Sequence, residues 1–297
     1  MKPKFLKPDD KICIISPSGG IDTSYIEGAK AVLSDWGLQV TEGEFARTQY
    51  GRFSGTSEHR LSDLQHALDD PTVRAILCSR GGYGLAQIID KISFTRFAEY
   101  PKWMIGFSDI TILHNAITGM EIASIHGVMA KHLTELAPNA KPIVQLHKIL
   151  FGEMPTYIGP SHALNKLGNA QGKLMGGNLS VLMGLRGSQF DLPYENSILF
   201  IEDIDEKPYH IDRMIQNLRF SGVLSKLSGL VVGQFTDCEE DPLMMQTIHE
   251  IITDAVCDYD YPVCFNFPAG HVENNLPLVL GATVQLEVTA EKVQLKF

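Results

Sequence analysis

Two stretches decide the fold of this chain: residues 73–84, VRAILCSRGGYG, and residues 103–111, WMIGFSDIT. Each passes from a short apolar, β-branched run into a turn of glycine and serine, and residues 11–20, KICIISPSGG, are built in the same way. Helical patterns of about 10 to 15 residues separate these runs, which predicts a parallel sheet covered by helices on both faces. Ligands bind at the carboxyl ends of such strands, where these turns lie.

The second half of the chain differs in pattern from the first. Glycine, proline, asparagine and serine accumulate after about residue 148. We therefore expect an N-terminal α/β domain over residues 1–150, a linker over residues 151–172 and a C-terminal domain over residues 173–297. Residues 284–297 alternate between apolar and polar side chains on either side of a turn, which predicts a terminal β-hairpin with one buried face.

Composition excludes several classes of protein. The 297-residue chain has a formal net charge of −10, and the surplus of acids lies in residues 151–297, which hold 9 basic and 19 acidic groups. Nucleic-acid binding needs a clustered basic surface, so we expect no nucleic-acid partner. No apolar run approaches the length of a membrane span or a signal peptide, which predicts a cytoplasmic protein without membrane contact. The five cysteines are far apart and predict reduced, mostly buried thiols.

Residues 106–111, GFSDIT, are the most informative for chemistry. An apolar strand passes through Gly106 to Ser108 and then enters a helical pattern, which is the shape of a nucleophile elbow. A serine on such a turn is presented to substrate, and the backbone amide after it can face an oxyanion. The alternative is that Ser108 only caps the helix. Position 110 is isoleucine where α/β-hydrolases have glycine, which weakens a lipase or esterase interpretation.

The glycine-rich turn at residues 81–84, GGYG, follows the neighbouring predicted strand. Successive glycines allow a tight turn and present N–H groups to a negative atom. The turn could also be a phosphate loop or a plain turn, but neither G-x-x-x-x-G-K-[ST] nor G-x-G-x-x-G occurs in the chain. We expect the amide of Gly82 to be a second donor of an oxyanion hole.

A catalytic serine needs a base, and a histidine base needs an acid that orients it. His271 closes the loop motif PAGH after a short apolar strand, where a side chain can reach a cleft. His114 and His126 lie near the serine in sequence and are the alternatives. Glu202 ends the apolar run ILFI, and because burying a carboxylate there is costly unless it is paired, Glu202 is the favoured acid.

The acidic run Glu202, Asp203, Asp205 and Glu206 also allows other interpretations. A glycosidase needs only two carboxylates and stays possible. A metal site is disfavoured, because His249 and the glutamate after it are not followed by the second histidine of H-E-x-x-H. We expect no metal.

Five motifs occur in order along the chain: GGYG at 81–84, GFSDIT at 106–111, GGNLS at 176–180, FIEDIDEKPYHIDR at 200–213 and PAGH at 268–271. As a set that spans essentially the whole chain, they resemble the LD-carboxypeptidases. This serine-peptidase family comprises the muramoyltetrapeptide carboxypeptidases and also contains microcin immunity peptidases. The resemblance implies a flavodoxin-like or class I amidotransferase-like parallel-sheet domain at the N-terminus. It also implies a smaller, β-rich α/β domain at the C-terminus, and a homodimer.

The resemblance further implies a triad of Ser108, Glu202 and His271, with an oxyanion hole formed by the amides of Asp109 and Gly82. The implied reaction hydrolyses the bond between an L-diamino acid and D-alanine in a cytoplasmic murein tetrapeptide, during peptidoglycan recycling. It needs no metal or organic cofactor. The nucleophile comes from one predicted domain and its base and acid from the other, so the site is expected at their interface.

The terminal carboxylate of such a substrate needs donors, and motif position suggests Asn178, Arg80 and Lys207. Asn178 ranks first because it opens a predicted helix beside two glycines. Arg80 and Lys207 could instead form interdomain salt bridges.

Two other functions stay open. One is cleavage of a peptide-nucleotide antibiotic for self-immunity, for which we find no dedicated aromatic loop; the other is non-catalytic binding of muropeptides, which the complete triad disfavours.

Overall fold

The computed structural model describes residues 1–297. The strands are β1 Lys11–Ile15, β2 Gln39–Glu42, β3 Val73–Cys78, β4 Trp103–Gly106, β5 Ser124–His126, β6 Thr156–Pro160, β7 Gly168–Asn178, β8 Ser197–Ile204, β9 Leu227–Thr236, β10 Val263–Cys264, β11 Leu278–Leu280, β12 Thr283–Val288 and β13 Lys292–Lys296. The α-helices are α1 Thr23–Asp35, α2 Ser57–Asp69, α3 Thr95–Glu99, α4 Thr111–Gly119, α5 Ala130–Glu135, α6 Lys141–Leu150, α7 Leu179–Leu185, α8 Pro208–Phe220 and α9 Ile248–Val256. None of these helices combines the length and the apolar character that a membrane crossing requires.

The first sheet has the strand order β11-β5-β4-β3-β1-β2. Strands β1 to β5 are parallel, and β11 lies antiparallel to β5 at one edge. Alternate residues of β1 enter separate apolar cores, with Ile12 and Ile14 in one and Cys13 and Ile15 in the other. Both faces of the sheet are therefore buried, as in a parallel sheet with helices on both sides. The predicted α/β fold class is confirmed.

The second sheet has the order β10-β9-β8-β7-β12-β13-β6. Strands β7 to β10 are parallel, whereas β12, β13 and β6 are antiparallel. The alternating tail forms the predicted hairpin of β12 and β13, in which Leu286 lies opposite Leu295 and both are buried. The long antiparallel part makes the second half of the chain richer in strand than the first.

The stretch 151–172, expected to be a linker, contributes strands to the second sheet. It contains β6 and the first residues of β7. Its glycines and prolines are compatible with this role because β6 is an edge strand, where one row of backbone groups needs no partner. Conversely, the first sheet includes one strand from the second half of the chain, because β11 pairs with β5. The chain thus crosses back between the sheets after residues 268–276.

Helices α1 and α2 begin and end at local signals. The Asp22 carboxylate accepts a hydrogen bond from the Ser24 amide at the start of α1, and Gly37, with φ of +80°, follows its end. The Thr56 hydroxyl accepts from the His59 amide at the start of α2. These capping bonds satisfy backbone N–H groups that have no partner within the helix.

The carboxyl end of α2 is capped by a buried lysine. The Lys102 ammonium donates to the carbonyls of Ala67, Leu68 and Asp70 at 3.0, 2.9 and 2.6 Å. Burial lowers the pKa of Lys102 to about 8. Lys102 directly precedes β4, so this contact fixes α2 at the amino end of the sheet, opposite to the end where β4 leads into Ser108.

Candidate active site

Ser108 occupies a strained turn after β4. Its φ is +65°, a left-handed value that residues with a side chain rarely adopt. A single 3-10 turn, Ser108–Ile110, leads from here into α4. Gly106 has φ of +159°, and a Cβ there would lie 2.8 Å from Ile110 Cγ1. The strand-to-helix elbow that the sequence predicts is present, and backbone strain of this kind concentrates at functional sites.

The glycine loop after β3 lies directly against Ser108. A Cβ on Gly81 would be 2.7 Å from Ser108 Cβ, so only glycine allows this approach. Gly82 has φ of +108°, and its amide donates to no acceptor in the protein. The amide of Asp109 lies in the first turn of a helical segment, where N–H groups have no partner along the helix. Both predicted oxyanion-hole residues therefore belong to segments that meet at the serine.

The Asp109 carboxylate connects three loops around the serine. It is buried, and its Oδ2 accepts hydrogen bonds from Ser18 Oγ at 2.6 Å and from the Leu85 amide at 3.0 Å. Burial raises the pKa of Asp109, while these two hydrogen bonds act in the opposite direction. The sequence predicts a role only for the amide of this residue. Its side chain holds the loop after β1 and the glycine loop in place.

Arg60 also holds these loops together, although its sequence pattern does not indicate such a role. Its guanidinium is buried and donates to the carbonyls of Pro17 at 3.1 Å and Gly84 at 2.7 Å. It also lies over the Phe53 ring, 4.9 Å from the centroid. Burial lowers the pKa of Arg60, and the charge of Asp109 opposes that effect. No local signal marks this arginine, because arginine on an amphipathic helix is normally solvated.

Glu202 and His271 form a hydrogen-bonded pair. Glu202 lies in β8 and is fully buried, and its Oε2 is 2.7 Å from Nδ1 of His271, whose side chain is 14% exposed. Gly270 has φ of +123°, and a Cβ there would lie 2.9 Å from Glu202 Oε2. Glycine in the PAGH motif thus allows the loop to lie against the carboxylate. A carboxylate bound at Nδ1 leaves Nε2 of the imidazole available to accept a proton.

Ser108 and His271 line the same cleft, which has a volume of about 720 Å³. Phe107, which precedes Ser108, also lines this cleft, and its ring packs edge-on against the His271 imidazole with centroids 4.9 Å apart. No hydrogen bond joins Ser108 to His271 in this structure, and such catalytic bonds often tighten only when substrate binds. The volume falls in the range of small-molecule sites.

The two alternative histidines are buried away from the cleft. Both ring nitrogens of His114 are occupied, by Ser124 Oγ and the Gly106 carbonyl, each at 2.8 Å, and burial lowers the pKa of His114 to about 4. His126 is fully buried, and neither of its ring nitrogens has a hydrogen-bond partner in the protein. Neither ring pairs with an acid. Of the three candidate histidines, only His271 pairs with an acid and lines the cleft.

The acidic run that begins at the end of β8 does not form a paired-carboxylate site. Asp203 follows Glu202 in the strand, and neighbouring strand residues point to opposite faces. The Asp203 carboxylate accepts from the amides of Ser180 at 2.8 Å and Ile204 at 2.9 Å. Burial raises the pKa of Asp203 to about 6. No group of three His, Cys, Asp or Glu side chains is placed to hold a metal ion.

Arg80 is the predicted substrate-binding residue that the structure brings to the cleft. Its side chain is exposed and lines the cleft beside the glycine loop. The guanidinium donates to the Gly20 carbonyl at 3.0 Å and has no acidic partner. The alternative of an interdomain salt bridge is therefore not realised for Arg80.

Asn178 and Lys207 lie elsewhere, which corrects the expectation that they reach the substrate. Asn178 is buried, its Nδ2 donates to Asp203 at 2.8 Å, and its Oδ1 accepts from the Val181 amide as the N-cap of α7. Lys207 pairs with Glu239 at 3.2 Å on the surface. Neither residue lines the cleft. The motifs indicated only that these residues lie at or after the ends of strands. They did not indicate which groups the two side chains contact.

Further cleft residues come from α1, its N-cap and α5, none of which the sequence motifs indicate as part of the site. His132 is half-buried, and its Nδ1 accepts from the Met129 amide at 3.4 Å. Burial and the charge of Lys131 lower the pKa of His132 to about 4, so its ring is neutral near pH 7. The charged side chains along these two helices at the cleft are Asp22, Lys131 and Glu135.

Known proteins match the chain over most of its length. Residues 12–127 match the LD-carboxypeptidase N-terminal domain family, and residues 171–286 match the LD-carboxypeptidase C-terminal domain family. The chain is 35% identical to the probable murein peptide carboxypeptidase of Bacillus subtilis, covering 98% of this chain and 92% of that protein. It is 31% identical to the murein tetrapeptide carboxypeptidase of Pseudomonas aeruginosa, covering 94% of each. The crystal structure of muramoyltetrapeptide carboxypeptidase from Oxalobacter formigenes superposes with a TM-score of 0.88 at 27% identity, covering 96% of this chain and 97% of that one.

Proposed function

Because the chain belongs to the LD-carboxypeptidase family, we propose that it is a serine carboxypeptidase acting on murein tetrapeptides. The bond hydrolysed joins an L-diamino acid to the C-terminal D-alanine. The observation that carries the proposal is the buried Glu202–His271 pair, which opens onto the same cleft as Ser108 on its strained elbow. Nucleophile, base and orienting acid are the three roles that acyl transfer by a serine requires.

In the first half of the reaction, Ser108 Oγ attacks the carbonyl carbon of the diamino acid while His271 Nε2 takes the hydroxyl proton. The carbonyl oxygen becomes negative and is stabilised by the amides of Gly82 and Asp109. Glu202 holds the imidazole through Nδ1 and stabilises its protonated form. Return of the proton from His271 to the nitrogen of D-alanine breaks the C–N bond and leaves the peptide esterified to Ser108.

In the second half, water replaces D-alanine. His271 takes a proton from the water as its oxygen attacks the ester carbon, and the same two amides stabilise the second oxyanion. The ester C–O bond then breaks, and the proton returns to Ser108 Oγ. The products are free D-alanine and a peptide shortened by one residue.

Arg80 is the proposed partner of the substrate's terminal carboxylate. It precedes Gly81, which touches Ser108, so its guanidinium enters the cleft close to the reacting centre. It has no acidic partner in the protein that would compete for it. A guanidinium presents N–H groups that match a carboxylate in two parallel hydrogen bonds.

We also propose a domain organisation, an oligomeric state and a cellular location. The nucleophile belongs to the unit of the first sheet and the acid–base pair to the unit of the second, with the division between α6 and β6. A homodimer and a cytoplasmic role in peptidoglycan recycling follow from the family resemblance. Sedimentation of the purified protein tests the dimer, and cell fractionation tests the location.

The activity is tested by mass spectrometry with a tetrapeptide that ends in an L-diamino acid and D-alanine. We expect the wild-type protein to release D-alanine and Ser108→Ala to release none. An all-L tetrapeptide of the same composition is the stereochemical control, and cleavage of that peptide alone would overturn the proposed specificity. A peptide-nucleotide conjugate is the third substrate, and its exclusive cleavage would favour the immunity-type function.

A further inference from the structure

One carboxylate oxygen of Glu202, the proposed triad acid, accepts no hydrogen bond from the protein. Glu202 is fully buried, and its Oε2 accepts from His271, but its Oε1 is also buried and has no hydrogen-bond partner in the protein. A buried carboxylate is stable only when hydrogen-bond donors replace the water that solvated it. The second oxygen of Glu202 therefore requires a donor that no direct contact supplies.

Asn275 has an unused donor beside this carboxylate. It is fully buried, and its Oδ1 accepts from the Gly270 amide at 2.9 Å, while its Nδ2 has no partner. Gly270 itself lies against Glu202, because a Cβ there would be 2.9 Å from Oε2. Gly270 thus contacts both the Asn275 side chain and the Glu202 carboxylate, and the Asn275 N–H groups have no partner in the protein.

His126 offers a second unused donor on the same side. Its ring packs edge-on against Phe200 with centroids 4.9 Å apart. Phe200 precedes Glu202 by two positions in β8, so both side chains point to the same face of the sheet. Burial and the charges of His114 and His271 hold the pKa of His126 well below its ordinary value. The ring is therefore neutral, with one donor and one acceptor, and neither is used.

These three groups complement one another without touching. The carboxylate oxygen needs donors, the asparagine has N–H groups to donate, and the imidazole can both donate and accept. A buried water typically makes about three hydrogen bonds to groups of this kind. We propose that Asn275 and His126 hold one internal water against Glu202 Oε1 and are positioning residues for the triad, an inference that rests on the proposed function of Glu202.

The water acts through the orientation of Glu202. With Oε1 bound, the plane of the carboxylate is set, and Oε2 stays directed at Nδ1 of His271. The Nε2 atom of the imidazole then stays directed at the cleft, where Ser108 lies. Because neither Asn275 nor His126 lines the cleft, the loss of either should slow the chemical step without weakening substrate binding.

The test uses kinetics of the full-length enzyme with the D-alanine-releasing tetrapeptide. His126→Phe keeps the aromatic contact with Phe200 but removes both ring nitrogens, and Asn275→Asp keeps the acceptor for the Gly270 amide but removes the donor. Each should lower kcat by about 10- to 100-fold with KM changed less than about twofold. His126→Gln, which keeps a donor and an acceptor, should recover most of kcat. Tyr194→Phe is the matched control, since it removes a buried unpartnered hydroxyl in another core and should leave kcat unchanged.

A double-mutant cycle separates positioning from a general structural defect. In a Glu202→Gln background, His126→Phe and Asn275→Asp should each lower kcat by less than about twofold, because the group they serve is already altered. The proposal would be overturned if each substitution lowered kcat by the same factor in the wild-type and Glu202→Gln backgrounds. An unchanged kcat in the single variants would also overturn it.

A high-resolution crystal structure tests the site independently of activity. We expect an ordered water within hydrogen-bonding distance of Glu202 Oε1, Asn275 Nδ2 and a ring nitrogen of His126. A dry interior there would refute the inference. If the wild-type protein fails to release D-alanine but the water is present, the proposed function fails while the structural part of the inference stands.

Discussion

Oε2 of Glu202 lies 2.7 Å from Nδ1 of His271, although 69 residues separate them in sequence. The first belongs to a buried strand and the second to the loop that returns the chain from the second sheet to the first. This contact pairs the acid and the base that the proposed function requires. His271 of this pair lines the cleft that Ser108 reaches from the other sheet, whereas Glu202 is buried behind it.

Replacing Ser108 with glycine should abolish activity and yield a more stable protein than replacing it with alanine. Both variants remove the hydroxyl, for which we expect a loss of at least about 1000-fold in kcat. At φ of +65° a residue with a Cβ is strained by about 1 kcal/mol, and glycine is not. D-alanine release and thermal unfolding measure the two effects. Turnover retained in either variant would remove Ser108 from the mechanism.

Adding one methyl group at Gly81 should disable the site. A Cβ there would lie 2.7 Å from Ser108 Cβ, so the Gly81→Ala variant must displace the serine or the glycine loop. We expect kcat/KM to fall by about 100-fold, since small misplacements have effects of that size. Gly184→Ala is the control, because a Cβ at that exposed helical position meets nothing within 4 Å. Equal kcat/KM in Gly81→Ala and Gly184→Ala would contradict the close approach of Gly81 to Ser108.

Arg80→Met should weaken substrate binding. Loss of a charged hydrogen-bonding partner for the terminal carboxylate should raise KM by about 10- to 100-fold. Lys207→Met tests the competing expectation from motif position, and because Lys207 lies outside the cleft we expect its KM to stay within about twofold of wild type. Steady-state kinetics on the tetrapeptide measures both. A larger rise in KM for Lys207→Met than for Arg80→Met would mean that the cleft closes around Lys207 when substrate binds.

The stability of the protein should contain a pH-dependent contribution from Asp203. Burial raises the pKa of Asp203 from 3.8 to about 6, so the folded state holds this proton more tightly than the unfolded state does. The contribution is therefore most favourable below pH of about 4, is lost as pH rises to about 6, and is constant above that. Relative to Asp203→Asn, the free energy of unfolding of the wild type should fall by about 2 to 3 kcal/mol between pH 4 and pH 7. Urea unfolding across this range measures the difference, and a pH-independent difference would contradict the assignment.

Lys102→Met should destabilise the protein without altering its chemistry. The substitution leaves three carbonyls at the end of α2 without their donor, which should lower the free energy of unfolding by about 2 to 4 kcal/mol. The folded fraction should keep its kcat, because Lys102 lies at the end of β4 opposite to Ser108. Lys148→Met, which removes only a surface ion pair with Glu153, should change stability by less than about 0.5 kcal/mol. Denaturant unfolding and kinetics at a temperature where both variants are folded compare them.

Local patterns predicted much of the architecture. The alternation of apolar runs and helical periods predicted the parallel sheet, and the strict alternation near the C-terminus predicted the final hairpin. Gly81, Gly106 and Gly270 all permit close contacts around the predicted site residues, and all three lie within motifs that the sequence makes visible. The boundary region was predicted less well, because glycine and proline are common both in linkers and in edge strands such as β6.

The sequence by itself determined the type and order of the elements, the elbow at Ser108 and the short list of candidate acids and bases. These depend on backbone propensities, side-chain period and turn chemistry, which act over a few residues. Only the tertiary structure decided which side chains meet. It joined His271 to Glu202, buried Arg60 behind the glycine loop, brought Arg80 to the cleft, and assigned Asn178 to a helix cap. The physical reason is that the packing of two sheets, and the loop that crosses between them, sets distances between segments far apart in the chain, and no local pattern encodes those distances.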